Sequence, residues 1–256
     1  MNRRQLLQNS LCTAVGWAIG NGTSLGQKPM AMETNATVAS EVSLAHFVDR
    51  CPVPPVIRPA GKPGEIIEIE MRQFQQKVHR DLPPTTLWGY NGSWPGPTFE
   101  VRKGQPCTVK WLSKLPSKHF LPVDTTLHGA ESTLPEVRNV VHVHGARVMP
   151  ENDGYPEAWF TSAGQEGPKF NRYPSVYPND QPAAPLWYHD HCLGITRLNI
   201  YAGLAGFYFI RDEAEVGLNL PSGEFEIPLM IQDRAFHKDG SLLYPKAVNG
   251  THPVWV

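Results

Sequence analysis

The chain has 256 residues, a formal net charge of −1 and a charged fraction of 18 %. So even a balance excludes the strongly basic surface that a nucleic acid or an anionic membrane would select. Its length allows one large domain or one and a half ordinary ones, and its 25 prolines and 22 glycines, scattered between short apolar runs, favour many short strands over long helices.

Arg3-Arg4 precedes a short, weakly apolar stretch at 11–19. Paired arginines in that setting predict a twin-arginine export signal and linker over residues 1–40, and hence a periplasmic or secreted protein. The stretch is too short and interrupted to span a bilayer, and no later segment is apolar for long enough. Cys12 would leave with the signal. Cys51, Cys107 and Cys192 lack a C-x-x-C spacing, so they read as inert thiols, with a Cys51–Cys107 bridge left open.

Residues 41–212 carry the pattern of a first domain. Strands are predicted at 65–71, 85–90, 98–101, 107–112, 139–144, 185–191 and 205–210, from β-branched and aromatic runs bounded by turn residues such as Asn91-Gly92 and Lys103-Gly104. A loop covers 116–136, an irregular excursion 150–182, and a short helix 196–202. That layout predicts a Greek-key β-sandwich or barrel. Residues 213–223 read as a polar connector and 226–233 as the first strand of a second domain. About 100 residues are needed for such a domain, so 213–256 reads as the start of a truncated one.

Two histidine pairs stand out, His142-Val143-His144 and His189-Asp190-His191. Alternation along a strand puts each pair on one face, with Val143 and Asp190 on the other. Four imidazoles on neighbouring apolar strands predict a metal site, suited to copper, zinc, iron or nickel, and spacing leaves open whether a pair shares one ion or straddles two. Asp190 faces away and is discounted as a ligand. His46, His79, His119, His128, His237 and His252 are isolated and read as surface or structural.

The sequence around these pairs is more specific. Val141-His142-Val143-His144-Gly145 followed by Trp187-Tyr188-His189-Asp190-His191 resembles the two N-terminal copper motifs of multicopper oxidases. Arg80-Asp81-Leu82-Pro83-Pro84-Thr85, Leu87-Trp88-Gly89-Tyr90-Asn91-Gly92, Asp153-Gly154-Tyr155-Pro156 and Thr196-Arg197-Leu198-Asn199 are similar to the bacterial spore-coat laccase and bilirubin-oxidase branch. The resemblance implies an all-β, cupredoxin-like first domain followed by a second. It implies His142 on a type 2 copper and His144, His189 and His191 on a type 3 pair, together part of a trinuclear cluster that reduces dioxygen to water. It also implies Asp153 as a carboxylate delivering protons, although an Asp-Gly dipeptide equally serves a turn. The small-molecule electron donor, a phenol, a tetrapyrrole or a metal ion, would enter at a type 1 copper in a C-terminal domain.

Three departures qualify this. Ala146-Arg147 follows Gly145 where the branch often has a second glycine, and Cys192 stands where it often has a small or aliphatic residue. No His-x-x-His-x-His or His-Cys-His run occurs in the 256 residues. The chain is therefore expected to be the N-terminal part of a multicopper oxidase, inactive alone and needing further domains to complete its cluster. The alternative is a stand-alone copper carrier without turnover.

Overall fold

The computed structural model describes residues 42–244, so the paired arginines, His252 and the chain beyond Tyr244 lie outside the described residues. Two sheets form a sandwich. The first runs in the order β1 (Val56–Ile57), β4 (Gly96–Arg102), β9 (Ala205–Arg211), β8 (Ala184–Asp190), β6 (Val141–His144). The second runs β3 (Thr85–Tyr90), β2 (Ile67–Gln76), β5 (Cys107–Lys114), β7 (Ser175–Tyr177). From β3 to β8 each successive strand lies in the opposite sheet, which places β2 beside β5 and β4 beside β9 in parallel. That is the predicted all-β, cupredoxin-like sandwich.

Alternation builds the core. Ile69 and Met71 of β2, Leu87 of β3, Val109 of β5, and Val143 and Tyr188 of β6 and β8 all point inward and are essentially inaccessible. At the centre the Tyr188 ring lies 4.8 Å from Tyr90 and 5.5 Å from both Phe99 and Trp111. Gly206, next door on β9, has no room for a side chain, because a Cβ there would come within 2.5 Å of the Tyr188 ring. The Tyr188 hydroxyl donates to the Pro97 carbonyl at 2.7 Å. Tyr188→Phe is expected to cost about 1–3 kcal/mol by leaving that buried carbonyl unpaired. Urea unfolding would measure it, and a neutral result would mean another donor reaches Pro97.

The short helix appears as predicted, α1 (Thr196–Ala202). The polar connector holds a second, α2 (Glu213–Gly217), whose N-cap Asp212 accepts from the Glu215 N–H at 2.9 Å. Within the irregular excursion, β7 pairs with Cys107–Val109. The expected strand at 139–144 is shorter, since Asn139 bridges to Phe160 and the ladder starts at Val141. Cys51 is exposed, Cys107 and Cys192 are buried, and all three thiols are free.

The expected first strand of a second domain, 226–233, is not formed. Ile227, Leu229 and Ile231 alternate as a strand face would, but they are 50 %, 65 % and 97 % exposed, and among the described residues no neighbouring backbone pairs with the segment. A strand exists only where a partner supplies hydrogen bonds. Beyond it β10 (Ala235–Phe236) and β11 (Leu242–Leu243) form a hairpin docked on the sandwich. Tyr201 donates to the Leu243 carbonyl at 2.7 Å and Thr85 to the Gly240 carbonyl at 2.8 Å, while the Arg234 guanidinium sits 4.6 Å from the Tyr201 ring. Among the described residues no helix is long and apolar enough to cross a membrane.

Candidate metal centre

The antiparallel ladder of β6 and β8 pairs His142 with His189 and His144 with Trp187. On this register Val141, Val143, Tyr188 and Asp190 enter the core, while His142, His144, Trp187 and His189 share the outer face of the sheet. His191 follows immediately after β8. Burial grades across that face: His189 is 5 % accessible, His142 and His191 are half-buried and His144 is exposed. The strands expected to be buried are thus buried on one face only, and the imidazoles occupy the other.

The four rings converge. His142 lies 5.5 Å from both His144 and His189, and 4.7 Å from His191, on which it stacks. Ligand nitrogens of His142, His144 and His189 all fall within 4.8 Å of one another. His191 adjoins that trio, its ring 5.8 Å from His189.

Main-chain carbonyls set the orientation of three rings. His142 Nδ1 is 2.6 Å from the Asp153 carbonyl, His191 Nδ1 2.9 Å from the Gly154 carbonyl, and His189 Nδ1 2.7 Å from the Asp190 carbonyl. A neutral ring that donates its Nδ1–H leaves the Nε2 lone pair for a cation. His144 is turned the other way, its Nδ1 3.2 Å from His189 Nε2. Two nitrogens bound at about 2.0 Å to one near-tetrahedral ion lie about 3.3 Å apart, so this pair already stands at a spacing one ion would impose. Trp187 stacks on His189 at 4.1 Å and on His144 at 5.4 Å, limiting rotation of both rings.

Protonation favours the same chemistry. Burial pushes the His189 imidazole down to about 4, helped by its three imidazole neighbours. Burial also lowers His142, against the opposing pull of the Asp153 carbonyl and carboxylate. Neutral imidazole is the ligating form. Cys192 is fully inaccessible and burial raises its thiol well above the ordinary range, so it is a packed thiol and not a thiolate ligand.

Asp153 serves the turn and the site together. It closes the 3-10 turn Pro150–Asn152 with its N–H on the Pro150 carbonyl, and its carboxylate Oδ1 lies 3.4 Å from His142 Nδ1. Asp190 faces away from the imidazoles, as expected. Of the isolated histidines, His119 is structural and buried, bonded to Asn199, whereas His46 and His128 are exposed. The carbonyls of Asp153, Gly154 and Asp190 went unforeseen because a main-chain acceptor leaves no mark on residue type. Trp187 does leave a signal in the sequence, since it stands two residues before His189 and therefore on the same strand face.

Comparison with known proteins agrees with this geometry. Residues 73–215 match the family model described as multicopper oxidase. The chain is 53 % identical over 213 residues to a laccase of Bacillus stratosphericus, covering 82 % of this chain and 42 % of the laccase. It is 49 % identical over 217 residues to a laccase of Bacillus subtilis (strain 168), covering 83 % of this chain and 42 % of that protein. The chain therefore spans about two fifths of the length of these relatives. In fold it is similar to the crystal structure of a multi-copper oxidase from Pediococcus acidilactici, with a TM-score of 0.61 at 24 % identity over 80 % of this chain and 38 % of that one. The sandwich, the converging imidazoles and the matched sequence together place this chain in the multicopper oxidase family.

Proposed function

We propose that His142, His144, His189 and His191 form one wall of a trinuclear copper cluster, His142 on the type 2 ion and the other three on the type 3 pair. The observation that carries this reading is the shared orientation of His142, His189 and His191, each with Nδ1 on a main-chain carbonyl. Copper bound there would supply the redox chemistry that turns dioxygen into water. This chain's residues favour the neutral form of His142 and His189, aim His142, His189 and His191 through main-chain carbonyls, keep His189 from water, and place the Asp153 carboxylate beside His142 Nδ1 to pass protons. The remaining ligands and the type 1 site that takes electrons from a phenolic, tetrapyrrole or metal-ion donor would come from the part of the protein this sequence does not span. On this reading the chain alone binds copper without oxidising a phenol, and the Arg3-Arg4 signal sends the protein to the periplasm or beyond.

The test is copper content after loading and desalting. The wild-type chain should retain copper, and His189→Ala/His191→Ala should lose most of it. Equal retention by both would overturn the ligand assignment, and an intense blue absorption from the loaded chain would overturn the placement of the type 1 site elsewhere.

A further inference from the structure

Asp190 sits between two of the proposed ligands in sequence, yet its side chain enters the core and is wholly inaccessible. Its Oδ2 accepts the Val140 N–H at 3.2 Å, and its Oδ1 accepts the Cys192 N–H at 3.0 Å and the Asn199 side-chain amide at 2.9 Å. These donors come from three segments: the residue two before His142, the residue after His191, and α1. The β6–β8 ladder runs only from Val141↔Asp190 to His144↔Trp187, so the Val140 and Cys192 N–H groups lie past its end. A buried N–H needs an acceptor, and the carboxylate takes the place of the missing ladder.

The carboxylate is itself braced. The Asn199 amide also donates to the Arg138 carbonyl at 3.0 Å, and Asn199 Oδ1 is 3.2 Å from His119 Nε2. His119 Nδ1 accepts the Leu121 N–H at 2.9 Å, so the ring is neutral with its proton on Nε2, donated to Asn199. His119 and Asn199 are 8 % and 0 % accessible. This chain of bonds ends on the backbone that carries the metal wall, because the Asp190 carbonyl is the acceptor for His189 Nδ1.

We propose that Asp190 is a positioning residue of the metal centre. Its carboxylate, braced by Asn199 and His119, sets the separation of the two histidine pairs and thereby the affinity for copper. The proposal rests on the reading that the four histidines hold copper. An asparagine at 190 keeps the volume but turns one acceptor into a donor, facing an N–H with an N–H. The wall would then relax apart with every ligand still present.

The experiment titrates Cu(II) into the full chain, followed by calorimetry and by electron paramagnetic resonance of the bound ion, alongside thermal unfolding. Asp190→Asn is expected to weaken Cu(II) binding by about 10- to 100-fold, the range typical of residues that orient ligands, and to change the copper hyperfine splitting. Asn199→Ala should move both readings in the same direction by less. Leu87→Ala, a core change in the other sheet, should lower the melting temperature and leave copper affinity and spectrum as in the wild type. A folded Asp190→Asn with wild-type affinity and spectrum would overturn the proposal, as would equal weakening in Leu87→Ala. If Asp190→Asn does not fold, Asn199→Ala decides by the same two readings. Wild-type binding by His189→Ala/His191→Ala would instead bring down the ligand reading beneath it.

Discussion

Gly154→Ala is expected to destabilise the chain by about 2–5 kcal/mol and to remove the copper binding proposed for it. Gly154 has φ +77°, and a Cβ there would lie 2.1 Å from the Val141 carbonyl oxygen. Left-handed backbone costs a non-glycine residue about 1–2 kcal/mol, and forcing atoms into packed space adds about 1–3 kcal/mol. The obstacle is the main chain of β6, so relief has to come from moving the turn. That turn carries the carbonyls facing His142 and His191. Calorimetric unfolding of the copper-free chain should show a fall of roughly 4–20 °C, taking about 2–4 °C per kcal/mol for a domain of this size. A melting temperature within about 1 °C of the wild type would show that the turn yields at no cost.

His119→Gln is expected to remove about 3 kcal/mol of acid sensitivity. Burial pushes the His119 imidazole down to about 4 in the fold, outweighing the bond to Asn199, whereas in the unfolded chain it titrates near 6.5. Between those values the unfolded chain binds more protons, so this group's contribution rises with pH and is lost as acid is added. A shift of that size is worth about 3 kcal/mol across the window. His189, also lowered to about 4, acts with the same sign in the copper-free chain. Asp190 acts oppositely, because burial raises its carboxyl to about 7 against the three N–H groups it accepts; its contribution is present at low pH and lost as pH rises through 7. The raw stability curve is therefore a composite, and the difference between wild type and His119→Gln isolates one group. Urea unfolding from about pH 7.5 to about pH 4 should show the advantage of the wild type shrinking by about 3 kcal/mol. A difference independent of pH would mean that His119 stays near its ordinary value in the fold.

The part of the fold legible in the sequence was the part encoded by side-chain alternation. Thr85–Tyr90 and Thr196–Ala202 appear where their patterns put them, and the histidine pairs share the face that an i, i+2 spacing requires. What depended on a partner was not legible. β7 is three residues paired with a strand 66 to 70 positions earlier, and 226–233 has the alternation of a strand without a neighbour among the described residues to make it one. At the metal centre the imidazoles were visible, and the carbonyls that aim them were not. The sequence points to Asp153 for its carboxylate, yet its shortest bond to His142 is made by its main-chain oxygen. Alternation along β8 turns the Asp190 side chain away from the imidazoles, but nothing in the sequence marks its bonds to the Val140 and Cys192 N–H groups, which tie together the segments that carry them.

Among the described residues β6 is the outermost strand of its sheet. The Val140 carbonyl faces β8, where it accepts the His191 N–H, so the Val141 carbonyl one residue on is directed outward. An outward-facing edge of this kind is a template on which a strand from another molecule can add. Gly154 lies against that carbonyl, within the distance at which even a methyl group would collide. The turn that aims two imidazoles is thereby also a guard on the margin of the sheet, and a substitution that swings it away would open a seam for edge-to-edge association between chains.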